Sequence, residues 1–209
     1  MFIEITDVTK RLDENNCSSI LNIGISKGES VCISGKDKTS FLNIIAGRIS
    51  MPLMRVIINE IPATVYRKTA FLSKTTNFAP HRTLLENLCL PLKLRGFNQK
   101  SSVLIAKEQA AAFGLSAFEK FFPCQLNSGV LKRAALAEIG LMDFDVLLLD
   151  EPTTKLDKAD LPLLIRYINS VRLEGKTVIL ATDDCRLADL LTERTIFIES
   201  VGKAVALSV

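Results

Sequence analysis

Short runs of apolar residues predict β-strands along the chain. Residues 2–8 alternate apolar and polar side chains, which is the pattern of a strand with one buried face. Residues 146–149 are all aliphatic, as in a strand buried on both faces of a parallel sheet. A further apolar segment covers 20–25. Other short runs predict strands at 31–34, 55–58, 69–72, 177–181, 196–199 and 204–207.

Helical spacing of apolar residues predicts three helices among these strands. The first covers 39–46 and ends at Gly47, since glycine commonly follows the last helical turn. The second covers 128–142 and has Ala-Ala-Leu-Ala in its middle. The third, at 158–173, separates two apolar strands, as a crossover helix does in a parallel sheet.

The middle of the chain is predicted to be mostly helical. Thr83 and Glu86 have the spacing of a capping box, and helical periodicity continues in pieces beyond them. The whole pattern predicts one α/β domain with a mostly parallel sheet. Its core comprises residues 1–73 and 128–209, and residues 74–127 form an inserted helical subdomain.

Composition narrows the classes of function. Of the 209 residues, 48% are hydrophobic and 23% are charged, which fits a globular protein. The net charge is +3, and the absence of a long Lys/Arg run argues against a nucleic-acid partner. Five cysteines without a Cys-x-x-Cys pair indicate reduced thiols in a cytoplasmic protein. The only histidine is His81, which argues against imidazole-rich metal sites and Ser-His-Asp triads.

The N-terminal residues and the hydropathy pattern bear on location. The first residues lack the charged start and apolar core of a signal peptide. No apolar run approaches the ~20 residues that span a bilayer. We therefore expect that a partner holds the chain at any membrane where it works.

The segment from Val31 to Gly47 has the layout of a phosphate-binding loop but not its spacing. An apolar strand leads to Gly35, and a predicted helix begins beside Lys38. In the P-loop pattern the lysine stands six residues after the first glycine. Here Lys38 stands three residues after Gly35. Taken alone, the segment leaves open an intact phosphate site, a damaged one or a coincidence of composition.

The aliphatic strand at 146–149 ends in two acids, Asp150 and Glu151. Ligands of open α/β sheets bind beyond the carboxyl ends of the strands, and in P-loop NTPases an aspartate there holds Mg²⁺. A neighbouring glutamate can orient and deprotonate a water molecule. The alternative is two acids stabilised at the start of the next helix. Four aliphatic residues before Asp-Glu-Pro-Thr, followed by Leu156-Asp157, favour the functional interpretation.

Nearly the whole chain resembles the ATP-binding subunits of ABC transporters, with the motifs in that family's order. The matching segments are the loop at 28–47, Lys74 in place of a glutamine, Leu126-Asn127-Ser128-Gly129-Val130 in place of Leu-Ser-Gly-Gly-Gln, the basic and Ala-rich 132–137, the acidic motif 147–153, Leu156-Asp157, and 177–184 with Asp183 in place of the switch histidine. Residues 38–42 and 86–96 are similar to the cell-division and lipoprotein-release ATPases. The short length and Lys38-Thr39-Ser40 also resemble the haem-exporter type.

The resemblance implies a fold, ligands and partners. It implies a P-loop NTPase-like core with a small antiparallel part, and it implies ATP and Mg as cofactors. The expected partners are an integral membrane permease and a second ABC ATPase subunit, as a homodimer or heterodimer. In such a dimer each site takes its P-loop from one chain and its signature from the other. The expected location is cytoplasmic, peripheral on the inner face of the cell membrane.

The resemblance also assigns roles to single residues. The catalytic positions are Glu151, Asp183 and Lys74, and the Mg ligands are Thr39 and Asp150. The positions expected to bind the nucleotide are Gly35, Lys36, Lys38, Thr39, Ser40, Asp150, Asn127, Ser128, Gly129 and Asp157.

Two departures from the family pattern concern the nucleotide itself. The loop lacks three residues and a second glycine, so fewer backbone N–H groups can converge on a phosphate. Asp37 brings a carboxylate to the loop, although Lys36 and Lys38 can offset its charge. At the position of the adenine-stacking aromatic stands Lys10-Arg11-Leu12, so stacking of the kind worth ~1–3 kcal/mol is lost.

Three further departures concern the γ-phosphate and the metal. Ser128 adds a Cβ where close backbone approach is wanted, whereas Asn127 and Gly129 keep a polar side chain and a glycine. Asp183 can only accept hydrogen bonds and repels a phosphate, which a histidine does not. Lys74 is either a solvated loop lysine or the partner of a nearby acid. The candidate acids are Glu151, Asp150 and Asp183.

Three hypotheses follow from the sequence. The first is a degenerate ABC subunit that binds nucleotide weakly, hydrolyses it slowly or not at all, and docks a membrane partner. The second is a working ATPase, since Asp150-Glu151-Pro152-Thr153 and Lys38-Thr39 are intact. The third is an interaction module with an ABC fold and no transporter.

Overall fold

The computed structural model describes residues 1–7, 22–51, 54–200 and 203–205. In chain order the elements are β1 (Ile3–Asp7), β2 (Asn22–Ile25), β3 (Ser30–Ser34), α1 (Lys38–Ile45), β4 (Met54–Ile58), β5 (Ile61–Pro62), β6 (Thr69–Leu72), α2 (Leu84–Leu94), α3 (Gln99–Ala112), α4 (Ser128–Ile139), β7 (Val146–Asp150), α5 (Leu161–Leu173), β8 (Thr177–Ala181), α6 (Cys185–Leu191), β9 (Arg194–Ser200) and β10 (Lys203–Val205). The predicted strands and helices are present within a few residues. The sequence did not predict β5 or α6.

The described strands form two sheets. Strands in the order β10-β9-β3-β8-β7-β6 form the larger sheet. Within it β3 pairs in parallel with β8 and β9, and β7 pairs in parallel with β8, whereas β10 is antiparallel to β9. The smaller sheet, β2-β1-β4-β5, is antiparallel. The predicted α/β fold, mostly parallel with a small antiparallel part, is confirmed.

Burial explains why the central strands read as continuous apolar runs. All five residues of β7 and of β8 are buried, as are four of the five residues of β3. A strand covered on both faces has no solvated side, so it needs no polar alternation.

The chain divides into two compact units. The first comprises Met1–Phe71, Phe144–Asp150 and Ile168–Val209, and it holds both sheets. The second comprises Leu72–Asp143 and Glu151–Tyr167, and it holds α2, α3 and α4. The 74–127 boundaries of the predicted helical subdomain stay a prediction. In the described ranges no helix combines the length and the apolar character that crossing a membrane requires.

Two smaller features lie in the described ranges. The capping box at the start of α2 is confirmed, since the Thr83 hydroxyl accepts from the Glu86 N–H and the Glu86 carboxylate accepts from the Thr83 N–H. Four of the five cysteines are unpaired thiols: Cys32, Cys89, Cys124 and Cys185. Cys17 lies outside the described residues.

Register brings three of the predicted site residues to one edge of the larger sheet. Ala181, the last residue of β8, is the register partner of both Ile33 on β3 and Asp150 on β7. Parallel strands end at the same edge, so the segments that follow β3 and β8 lie beside the end of β7. The residues placed there are Gly35, Asp150 and Asp183.

Candidate functional site

The turn from β3 into α1 depends on a glycine. Gly35 has φ +110°, a conformation that residues with a Cβ rarely adopt. A Cβ at this position would lie 2.1 Å from the backbone oxygen of Ile198 on the neighbouring strand β9. The helix then begins at Lys38, with the Phe41 N–H donating to the Asp37 carbonyl at 2.9 Å.

The carboxylate of Asp183 lies against this turn and binds it with both oxygens. Oδ1 accepts from the backbone N–H of Gly35 at 3.3 Å. Oδ2 accepts from the ammonium of Lys38, with which it forms an ion pair. The Lys38 side chain is only 9% exposed, whereas that of Asp183 is 64% exposed. One carboxylate therefore engages both the first amide of the loop and its lysine.

The segment that carries Asp183 is held on both sides. Thr182 is fully buried, and its N–H donates to the carbonyl of Ile33 at 3.1 Å, which continues the pairing of β8 with β3. Asp184 is the N-cap of α6, and its carboxylate accepts from the N–H groups of Arg186 and Leu187. Because both neighbours are fixed by hydrogen bonds, the backbone at Asp183 is fixed as well.

A second polar pair joins α1 to the end of β7. The hydroxyl of Thr39 donates to Oδ1 of Asp150 at 3.0 Å. Asp150 is only 2% exposed and is the last residue of the fully buried β7. The hydroxyl and carboxylate expected to hold a metal are thus already in contact.

The first unit therefore brings seven of the predicted residues to one edge of the sheet. These are Gly35, Lys36, Lys38, Thr39, Ser40, Asp150 and Asp183. Lys36 and Ser40 are exposed. Residues 10–12, predicted to replace the adenine-stacking aromatic, lie outside the described residues.

The second unit contains the predicted signature residues at the start of α4. Asn127 is the N-cap, and its side chain accepts from the Val130 N–H at 2.9 Å. Ser128 is exposed and Gly129 is buried. A Cβ on Gly129 would lie 3.0 Å from a carboxylate oxygen of Asp157, so this carboxylate packs closely against the glycine. Asn127, Gly129 and Asp157 are thus neighbours.

Two predicted catalytic residues also belong to the second unit. Glu151 is half-buried and has φ +45°, and its carbonyl accepts from the Thr154 N–H at 3.0 Å. Lys74 is exposed in the segment that follows β6. Its pairing with Glu151, Asp150 or Asp183 stays a prediction.

The sequence did not predict which side chain pairs with Asp183. The sequence predicts that Asp183 repels a phosphate and offers it as a partner for Lys74, but it does not predict the ion pair with Lys38. Two residues 145 positions apart in sequence form this pair, and only the parallel pairing of β3 with β8 brings them together. The signal available in the sequence was an acid following one predicted parallel strand and a lysine following another.

Comparison with known families identifies the group of proteins to which the chain belongs. The ABC transporter family matches residues 19–154, which is well over half of the chain. The chain belongs to the ABC transporter family.

Curated ABC proteins resemble the chain over most of its length. It is 27% identical over 209 residues to the glutamine transport ATP-binding protein GlnQ of Escherichia coli K12, covering 94% of this chain and 87% of GlnQ. It is 26% identical to the cell division ATP-binding protein FtsE of Streptococcus pneumoniae D39, covering 95% and 92%. It is 30% identical to the formylaminopyrimidine import ATP-binding protein ThiZ of Halalkalibacterium halodurans, covering 83% and 70%.

Solved ABC cassettes share the fold. The chain aligns with the ATP-binding cassette MJ0796, in a dimeric post-hydrolysis state bound to ADP and Pi, with a TM-score of 0.82 and 25% identity. The alignment covers 98% of each chain. A second dimeric structure of MJ0796 aligns with the same TM-score and 26% identity.

The ligands of an ABC ATP-binding domain fit this site unequally. Mg²⁺ prefers hard oxygen ligands, and Thr39 and Asp150 supply a hydroxyl and a buried carboxylate in contact. The phosphate position does not fit as it stands, because Asp183 already binds Lys38 and the Gly35 N–H. A phosphate group can enter there only by displacing the carboxylate.

Proposed function

We propose that the chain is the ATP-binding-type subunit of an ABC transporter-like membrane complex, with ATP binding and hydrolysis weakened or lost. The observation that carries the proposal is the binding of Asp183 to Lys38 and to the Gly35 N–H. These groups of the loop would otherwise be directed at a phosphate.

The negative charge of the Asp183 carboxylate opposes the binding of a nucleotide phosphate. A phosphate oxygen about 4 Å from the Asp183 carboxylate is repelled by about 4 kcal/mol at an effective dielectric constant of 20. To avoid this repulsion Asp183 must leave, and the entering phosphate must then replace its two contacts. An ordinary phosphate loop has no such competitor.

The shortened loop reduces what a phosphate gains in return. A phosphate is normally held by several converging backbone N–H groups. Lys38 stands only three residues after Gly35, so this turn offers fewer of them. The shortened loop and the competing Asp183 carboxylate both lower the affinity for a phosphate.

The relatives support a role in a membrane complex. GlnQ is a transport ATP-binding protein, ThiZ is an import ATP-binding protein and FtsE is a cell division ATP-binding protein. We infer a permease-type membrane partner, a second ABC ATPase subunit in a dimer, and a peripheral position on the inner face of the membrane. Near α2, Leu84 is fully buried, whereas Phe78 is half-buried and Pro80 is exposed. Leu84 therefore belongs to the subdomain core, whereas Phe78 and Pro80 are accessible to such a partner.

A second candidate function is an active ATPase. The contact between Thr39 and Asp150 favours it, because this pair is suited to Mg²⁺ and is intact. Glu151 also follows Asp150 directly, as a water-activating residue would.

Titration calorimetry with ATP and Mg²⁺ on the purified chain separates the two candidates. The proposal predicts no saturation below millimolar ATP, and phosphate release equal to that of the Glu151→Gln variant. Micromolar binding, together with phosphate release clearly above that of Glu151→Gln, would establish the active ATPase instead.

A further inference from the structure

We propose that the carboxylate of Asp183, which follows β8, acts as an internal anionic ligand of the loop between β3 and α1. We propose that it determines whether this loop accepts a phosphate group. This inference rests on the proposed function and gives weak binding a specific cause. Substituting Asp183 with an uncharged residue should therefore restore affinity for pyrophosphate and for nucleotide phosphates.

The contacts of Asp183 imitate those of a bound anion. Its two oxygens accept from two different donors, the Gly35 N–H and the Lys38 ammonium. A backbone amide beside a lysine at the start of a helix is the type of donor set that binds phosphate oxygens. A carboxylate and a phosphate both present oxygens carrying negative charge, so one can take the place of the other.

The position of Asp183 is set by the fold rather than by this ion pair alone. Buried Thr182 and the α6 cap residue Asp184 fix the backbone on either side. Lys38 is held by α1, and its side chain is nearly buried. Both partners are therefore positioned before they meet, so little freedom is lost when the pair forms.

An internal anion competes with a dissolved one through its effective concentration. Groups held on one chain reach effective concentrations of about millimolar or more. A phosphate ligand must exceed this competition before it occupies the loop. Because 64% of the Asp183 side chain is exposed to solvent, a dissolved phosphate can compete with the carboxylate for this position.

The neighbouring aspartate provides a matched control. Asp184→Asn removes the same charge one residue away, and asparagine caps a helix as well as aspartate does. Its carboxylate binds the N–H groups of α6. If Asp183 acts through its specific contacts, Asp183→Asn changes anion binding and Asp184→Asn does not.

The test is calorimetric titration of the full chain with inorganic pyrophosphate and, separately, with ATP and Mg²⁺. Asp183→Asn should bind both ligands at least about tenfold more tightly than the wild type, since it lacks the charge that repels the phosphate. Asp184→Asn should match the wild type. Adding Lys38→Gln to Asp183→Asn should abolish the gain, because the released lysine provides it.

The outcomes separate this inference from the proposed function. Micromolar binding of ATP by the wild type contradicts the proposed function, whatever the variants do. Weak binding by the wild type and no gain in Asp183→Asn overturn the inference alone. An equal gain in Asp184→Asn also overturns it, because the effect would then be a general one of net charge. Asp183→Ser serves as a second variant if Asp183→Asn does not unfold cooperatively.

Discussion

At the scale of single residues, Glu138 on α4 links stability to pH. Burial raises its pKa to about 7 from an ordinary value of 4.5. Between these values the folded chain keeps the proton and the unfolded chain releases it. The free energy of unfolding therefore falls as pH rises from about 4.5 to 7, and this contribution is level above pH 7.

The predicted experiment compares the wild type with Glu138→Gln. The side chain is half-buried, so we expect it to contribute about 2 kcal/mol of extra loss between pH 5 and 8, below the full shift. Glu138→Gln should lack this loss, because its amide does not titrate. Urea unfolding at several pH values measures the difference, and equal slopes for both proteins would contradict the assignment.

Two adjacent aspartates have roles that the sequence could not separate. The adjacent aspartates Asp183 and Asp184 have the same chemistry, yet one caps a helix and the other binds the loop before α1. The sequence did not predict α6, so it offered no basis for separating them. Asp183 was identified as a site residue from its place in a motif, whereas its partner depended on strand pairing.

At the scale of elements, Asn87 fixes the segment that precedes α2. It is 1% exposed, and its carboxamide nitrogen donates to the carbonyls of Ala79, Arg82 and Thr83 at 3.0–3.2 Å. Its oxygen accepts from the Ala79 N–H at 2.8 Å. One buried side chain thus satisfies several backbone groups of an irregular segment.

Asn87→Ala should therefore be strongly destabilising. Removing this side chain deletes four hydrogen bonds to the backbone of this segment, and we expect a loss of about 3 kcal/mol in the free energy of unfolding. Asn98→Ala is the control, since Asn98 is an exposed N-cap whose loss costs about 1 kcal/mol. Urea unfolding of both variants tests the difference. Equal losses would mean that Asn87 acts only as a cap does.

Elements with a strong local signal were predictable, and the others were not. β7 and β8 each contain an uninterrupted run of four aliphatic residues, and α2 begins at a capping box, so sequence alone located them. β5 is two residues long and includes a proline, so neither alternation nor β propensity could reveal it. α6 has seven residues, which is too short for a clear helical period.

At the scale of the whole molecule, the chain has the fold of its family, whereas its site contains a contact that the family motifs do not predict. The chain aligns over 98% of its length with a cassette solved with ADP and Pi. The sheet edge still places Thr39 beside Asp150, as a metal site requires. The same edge also places Asp183 on Lys38. Motif order therefore predicted the fold, because packing depends on the buried strands. It could not predict the contact between Asp183 and Lys38, which depends on the pairing of β3 with β8.

This separation leads to a prediction about assembly. Both MJ0796 structures are described as dimeric, one of them with ADP and Pi bound. A ligand that drives assembly contributes RT ln(1 + [L]/Kd), which is about 2.7 kcal/mol when its concentration is 100 times Kd and close to zero when it is well below Kd. If ATP binds this chain only weakly, millimolar ATP and Mg²⁺ should leave its sedimentation coefficient unchanged. Sedimentation velocity with and without ATP measures this, and Asp183→Asn in the same runs serves as the comparison with stronger binding. A shift of the wild type toward a dimer on adding ATP would show that the nucleotide binds well despite Asp183, and it would contradict the proposed function.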